Sequence, residues 1–266
     1  MYDRLIVPRI LVRLPLFAAQ ENWASDSSQI AAPNGQLLLR GPRPTWRDLR
    51  VLILLCTKAF RLKTPQFPVS YHELAGRRDY ASLTAVDASL QRLASVRFVF
   101  RLPEEPPQEV TLISFGRDRA RRKMVRLSDW LTDQICAPGA LNAGRLQADI
   151  EQRILFRLRG RSMLFWLFLC CEDWRRAQEA YNPNTAAKFV VRRRLWLHQP
   201  MLAVLALDYL PVKEQTKALA RSCQRILSVD RRYTNFELEI YSRRRPRALL
   251  VERLAPRIER LQGLAA

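Results

Sequence analysis

Apolar positions recur at helical spacing in several stretches of the chain, most clearly from Pro211 to Ser228. There Val212, Thr216, Leu219, Cys223 and Ile226 follow three- and four-residue steps and predict one buried helical face. Pro211 suits the start of that helix, where a missing N–H costs nothing. The period then changes to two. Phe236, Leu238 and Ile240 alternate with Glu237, Glu239 and Tyr241, Ala248 to Val251 reads as the returning strand, and Ser242 to Arg247 connects them. A helix followed by such a hairpin predicts a winged helix.

The first half repeats this order. Thr45 is a predicted N-cap, and Trp46, Leu49, Leu52, Ile53 and Cys56 place one face of the next helix in a core. Ser70 and Glu73 form a capping-box pair for a short helix that Gly76 ends. A third helix, Tyr80 to Ser95, is expected to bury Leu83, Val86, Leu90 and Leu93. Phe98 and Phe100 lie on a strand, Pro103 to Gln108 makes a turn, and Val110, Leu112 and Phe115 mark the returning strand. Arg117 to Lys123 is a basic connection, Met124 to Leu127 a strand and Asp129 to Cys136 a short helix.

The fold class expected is therefore α+β, with two tandem winged-helix domains. Residues 1–137 form the first, with a lead-in in which Arg9 to Phe17 runs extended, Ser25 to Gly35 is loop and Gln36 to Arg40 is a short strand. Residues 145–266 form the second and main DNA reader, after a hinge at Pro138 to Gly144. Ile150 to Arg161 fits strand or helix equally. Ser162 to Arg176 reads as a helix, Asn182 to Thr185 as a turn, and Phe189 to Leu197 as a strand with Arg192 to Arg194 in its middle.

Composition adds a partner. The chain has 266 residues, 48% of them hydrophobic, so it is globular and large enough for two modest domains. Its net charge of +20 implies a polyanionic partner, nucleic acid before a membrane surface. The first 150 residues hold 22 basic and 14 acidic side chains, and the rest hold 23 and 11. Both halves are cationic, the second more so. Cys56, Cys136, Cys170, Cys171 and Cys223 lie mostly in apolar runs without metal-ligand spacing, as expected of reduced thiols in a cytoplasmic protein. The arginines and prolines between Leu5 and Leu16 exclude a signal-peptide core, and the apolar run Met163 to Cys171 is too short to span a bilayer.

The candidate interface follows from the second helix and its wing. Lys213, Gln215, Lys217 and Arg221 are expected in the major groove, with Gln224 and Arg225 on the same helix. Arg243, Arg244, Arg245 and Arg247 at the hairpin tip are expected to straddle adjacent phosphates. In the first half Arg77 and Arg78 stand at the entrance of a helix whose outer face offers Tyr80, Thr84, Asp87 and Gln91. A mid-face carboxylate repels phosphate, so that domain is expected to supply backbone contacts or a protein interface. No catalytic chemistry, metal or cofactor is expected. Asp129 with Asp133, and Asp149 with Glu151, read as helix-start and solvated charges, and no glycine-rich phosphate loop occurs.

Several phrases give the chain a resemblance to iteron-binding plasmid replication initiators with paired winged helices, of the TrfA-like or RepC-like kind. They are Arg13 to Ala19 (RLPLFAA), Asn34 to Arg50 (NGQLLLRGPRPTWRDLR), Tyr71 to Gly76 (YHELAG) and Tyr80 to Val96 (YASLTAVDASLQRLASV), with Arg161 to Leu167 (RSMLFWL) and Lys217 to Ile226 (KALARSCQRI) in the second half. The chain departs from that pattern at Pro211 to Gln215 and in lacking a long N-terminal extension. The resemblance implies a protein that binds direct repeats at an origin in double-stranded DNA and opens adjacent AT-rich sequence. It further implies help in recruiting the host initiator and replicative helicase, self-association through the first domain, and no hydrolysis. A winged-helix transcription regulator would use the same domains. The charge alone would also permit an RNA-binding subunit, though no aromatic RNP-like strand is present.

Overall fold

A computed structural model of the chain describes residues 4–13, 16–19, 27–32, 35–75, 83–101, 108–136, 147–172, 178–181, 189–240 and 246–254. The lead-in is more structured than expected. Strand β1 (Arg4–Pro8) runs into helix α1 (Arg9–Arg13), so Arg9 begins a helical turn rather than an extended segment. Pro8 closes the strand immediately before that helix, and Leu11 and Val12 are buried. The predicted loop Ser25 to Gly35 is largely strand: β2 (Ser27–Ala32) pairs antiparallel with β3 (Gly35–Arg40). Its Ser, Gln and Ala have weak strand preference by themselves, and the ladder with β3 overrides it.

Helix α2 (Trp46–Leu62) is the centre of the molecule. The sequence predicts one buried face, but Val51, Leu54 and Leu55 bury a second. The helix lies between β1 on one side and later helices on the others. Its start is fixed by Asp48, whose carboxylate accepts from the backbone N–H of Thr45 at 2.7 Å and from Arg92 at 2.8 and 3.0 Å. Strand β4 (Gln66–Pro68), helix α3 (Tyr71–Ala75) and helix α4 (Leu83–Ser95) follow. Arg92 belongs to α4, so this half-buried ion pair ties α4 to α2. Leu83 is exposed, not buried as predicted, because the buried face of α4 runs through Val86, Ser89, Leu90 and Leu93.

The returning strand of the first half is two strands in different sheets. Strand β5 (Arg97–Arg101) pairs with β6 (Gln108–Thr111) in a sheet of order β2-β3-β5-β6. The chain then turns at buried Leu112, and β7 (Ile113–Arg117) pairs with β8 (Lys123–Leu127) in a sheet of order β4-β8-β7. Helix α5 (Asp129–Cys136) has its predicted bounds. The hinge Pro138 to Gly144 lies outside the described residues, as do Gly76, Tyr80, Trp174 and the turn Asn182 to Thr185.

The ambiguous stretch at Ile150 divides into strand β9 (Gln147–Glu151) and helix α6 (Gln152–Arg157). Helix α7 (Gly160–Cys171) buries almost every side chain from Met163 to Cys171. Strands β10 (Gln178–Tyr181) and β11 (Phe189–Trp196), helices α8 (Gln199–Val204) and α9 (Val212–Val229), and strands β12 (Tyr233–Ile240) and β13 (Pro246–Leu254) complete the chain. The last sheet has order β10-β11-β13-β12, with α7 and α9 packed against one another and α9 against the final hairpin.

The two halves share one core. β1 pairs antiparallel with β9, Arg4 opposite Glu151 and Pro8 opposite Gln147. Arg50 of α2 is only 1% exposed, and its Nη2 donates to the carbonyls of Leu155 at 3.2 Å and Leu158 at 2.7 Å. Its guanidinium lies 5.0 Å from the ring centre of Trp46 and 4.9 Å from that of Phe156.

Candidate nucleic-acid interface

The orientation of α9 is decided from beneath. Leu219, Cys223 and Ile226 pack into the core. Leu219 and Ile226 each contribute about 1.5–3 kcal/mol on burial, well above the roughly 0–1 kcal/mol of an exposed ion pair. The C-terminal end is pinned by Asp230. Its buried carboxylate accepts from Trp166 Nε1 at 2.7 Å and from Arg232 at 2.6 Å. Burial alone would raise the pKa of Asp230, but the hydrogen bonds from Arg232 and Trp166 outweigh it and hold the group below the usual carboxylate range. At the other end Arg161 of α7 donates to the carbonyl of Ala206 at 3.0 and 3.1 Å and to the Tyr209 hydroxyl at 2.8 Å, fixing the loop that leads into α9.

This packing turns Lys213, Lys217, Arg221 and Gln224 outward on one face, as predicted. Lys217 and Arg221 are 65% and 72% exposed at their side chains. Gln215 is not on that face. It is buried, and its Nε2 donates to the Leu210 carbonyl at 3.0 Å, so it closes the first turn instead of reaching a groove. Val212, expected in the core, is exposed, because the buried face begins at Gln215 and runs through Ala218, Leu219 and Ser222. Arg225 lies at the edge of the outer face, with Nη2 3.4 Å from the Arg157 carbonyl.

The hairpin tip that carries Arg243, Arg244 and Arg245 lies outside the described residues. Arg247 is exposed on β13, its guanidinium 5.3 Å from the ring centre of Trp196. Arg194 lies 4.8 Å from the same ring and pairs with Glu239 on β12. The predicted arginine run in β11 is thus engaged, since Arg192 also bonds Glu252 across the sheet at 2.6 Å and Arg193 pairs with Glu172 at the end of α7 at 2.5 Å.

In the first half Arg77 and Arg78 lie outside the described residues. Asp87 does not stand as a lone repulsive charge on α4. Tyr71 donates to it, Gln91 Nε2 lies at 2.7 Å, and Lys123 approaches at 3.6 Å from β8. Among the described residues no group of three or more His, Cys, Asp or Glu could hold a metal ion, and no helix is long and apolar enough to cross a membrane. Asp129 pairs with Arg126 at 3.3 Å, and Glu151 with Arg153 at 2.7 Å. Cys56, Cys171 and Cys223 are buried, and burial pushes the thiols of Cys170 and Cys223 up to about 12.

No protein-family model matches the sequence, and no curated protein matches it. Among solved structures, the chain is similar to that in the crystal structure of Pi initiator protein in complex with iteron DNA. The likeness covers 96% of this chain and 98% of that one, with a TM-score of 0.59 and 10% identity. The two chains share a fold.

Two features of the surface escape a reading of the sequence. Glu214 stands in the first turn of α9, 3.0 Å from Lys217 and 3.7 Å from Arg221, and so gathers two cations of the outer face onto one carboxylate. The glutamate three and seven residues before a lysine and an arginine is the signal for it. Trp196 is half exposed between two guanidinium groups, which only the pairing of β11 with β13 brings together. The basic connection Arg117 to Lys123, which the sequence marks between two strands, is the closed end of the β7–β8 hairpin.

Proposed function

We propose that the protein is a replication initiator that binds direct repeats at an origin in double-stranded DNA. Each half supplies a winged helix: α2, α3 and α4 with the β5–β6 hairpin, and α7, α8 and α9 with the β12–β13 hairpin. Helix α9 enters the major groove. There Arg221 can fork onto guanine, Gln224 can pair with an adenine edge, and Lys213 and Lys217 reach flanking acceptors or phosphates. Arg247 and the arginines at 243–245 lie along the adjacent backbone. Bound in an array, such copies would open neighbouring AT-rich DNA and recruit the host initiator and helicase, without hydrolysis by this chain. The first half is the surface for self-association.

The observation that carries this proposal is the row of Lys213, Lys217, Arg221 and Gln224 turned outward on a helix held by its buried face. It stands in a chain whose fold is similar, over nearly its whole length, to an initiator crystallised with iteron DNA. Gel-shift titration against the direct repeats of its own replicon tests it. Binding is expected to be at least a thousandfold tighter than to unrelated duplex at physiological salt, on the order found for specific readers. Equal affinity for both duplexes would refute it. Failure to sustain a replicon despite specific binding would reassign the protein as a transcription regulator.

A further inference from the structure

The β7–β8 hairpin ends in a cluster of positive charge that the proposed function does not use. Its turn is closed by Asp118: Arg121 N–H donates to the Asp118 carbonyl at 2.9 Å, and the Asp118 N–H donates to the Arg122 carbonyl at 2.9 Å. The Asp118 carboxylate accepts from the Arg122 backbone N–H at 2.8 Å and from its Nε at 2.7 Å. Arg122 is therefore committed to holding the turn. Lys123 is also committed, since its Nζ lies 3.3 Å from the Tyr71 ring centre and near Asp87, which ties the base of the hairpin to α3 and α4. That leaves Arg117, Arg119 and Arg121, all exposed and without an ion-pair partner among the described residues.

Arg121 adds a second observation. Its φ is 59°, a left-handed conformation in which turns favour Gly or Asn. A turn that only connects two strands favours one of those residues. Here a guanidinium occupies the strained position, next to a carboxylate that stabilises the turn without pairing with Arg117, Arg119 or Arg121. The uncharged residues of the tip, Gly116 and Ala120, offer no apolar anchor of the kind that a bilayer surface retains. Planar guanidinium groups suit phosphate oxygens.

We propose that the β7–β8 tip is a separate, sequence-independent contact with duplex DNA, in which Arg117, Arg119 and Arg121 each bind a phosphate. It takes the choice of duplex DNA as partner from the proposed function.

The test compares the full chain with Arg117→Gln/Arg119→Gln/Arg121→Asn, measuring binding to a direct-repeat duplex and to an unrelated duplex of equal length across a salt series. The variant is expected to flatten the slope of log K against log salt by about 2.7, three contacts at about 0.9 each. Its affinity for both duplexes should fall roughly five-hundredfold at 0.1 M salt with their ratio unchanged. Arg121→Asn alone separates binding from folding, because it relieves the left-handed strain. Its melting temperature should stay level or rise while its salt slope flattens by about 0.9. An unchanged slope and affinity in the triple variant would overturn the proposal. So would intact DNA binding with loss of binding to phosphatidylserine vesicles, which would make the tip a membrane contact. The wild-type preference for the repeat is a separate readout: if it is absent, the initiator assignment falls while the salt slope still decides the hairpin.

Discussion

Replacing Arg50 by methionine removes a buried charge that α2 sends into the second half of the molecule. The side chain is almost wholly enclosed, with Nη2 at 3.2 Å from the Leu155 carbonyl and 2.7 Å from that of Leu158. Hydrogen bonds to a charged group contribute about 1.5–3 kcal/mol each, so the pair is worth roughly 3–6 kcal/mol. Methionine preserves contact with the Trp46 and Phe156 rings and no longer buries an ion, which returns part of that sum. The two carbonyls are left with less to accept. The expected net loss is about 2–4 kcal/mol of unfolding free energy. Urea unfolding followed by tryptophan fluorescence would read it as a lower midpoint. A second transition in the variant would further show that α2 and the α6–α7 turn had begun to unfold separately. Arg50→Lys should not rescue, because an ammonium cannot stack between two rings while reaching both carbonyls. A methionine variant within about 0.5 kcal/mol of wild type would refute the clamp, since that is the range of an inert surface change.

Arg221→Ala and Gln215→Ala should have opposite effects. The first should cost about 1–3 kcal/mol of binding to the repeat and leave urea stability unchanged, while the second should lose about 1 kcal/mol of stability and leave gel-shift affinity intact. Glu214→Gln should change stability by less than about 0.5 kcal/mol and raise affinity for unrelated duplex in fluorescence anisotropy, because it frees Lys217 and Arg221 for phosphate. Asp230 has a depressed folded-state pKa, so its stabilisation is complete above its unfolded value of about 3.9 and is lost as pH falls through the folded value. Urea midpoints of wild type and Asp230→Asn should therefore differ at pH 7 and converge below about pH 4, and a constant gap down to pH 2.5 would contradict this.

Much of the second half was legible because its signals are local. The change from helical to alternating period after Ser228 places α9 and β12 within a few residues of their positions. The outward row Lys213, Lys217, Arg221 and Gln224 follows from that period. Gln215 was misplaced because a polar residue near the start of an amphipathic helix reads as solvent-facing. Only the loop carbonyl at Leu210 makes its burial tolerable. The same limit hid the second buried face of α2. Asp48, Arg50 and Thr57 break the apolar stripe and look exposed, yet each is buried with a partner: Arg92, the α6 end, and the Ile6 backbone N–H at 2.9 Å. The pairing of β1 with β9 has no local trace, since its two strands lie far apart in the chain and neither carries a strong strand pattern.

Those distant contacts have a consequence for recognition. A reader built from two halves on a flexible tether gains from its second contact only the effective concentration that the tether allows. Here β1 is part of the β1–β9 ladder, Arg50 caps the α6 end, and α1 and α2 both pack on α7, so the first half is laid against the element that carries α9. The α9 side is equally constrained, through Asp230 to Trp166 and through Arg161 to the loop before the helix. If the chain binds DNA as proposed, little orientational freedom remains to be lost when both halves meet one duplex, which would lower the entropic cost of the second contact. The same rigidity makes the contact sensitive to DNA geometry. A duplex whose groove and backbone are not in the phase set by the core must bend or forgo one contact, so repeat recognition would depend on deformability at base pairs that no side chain touches.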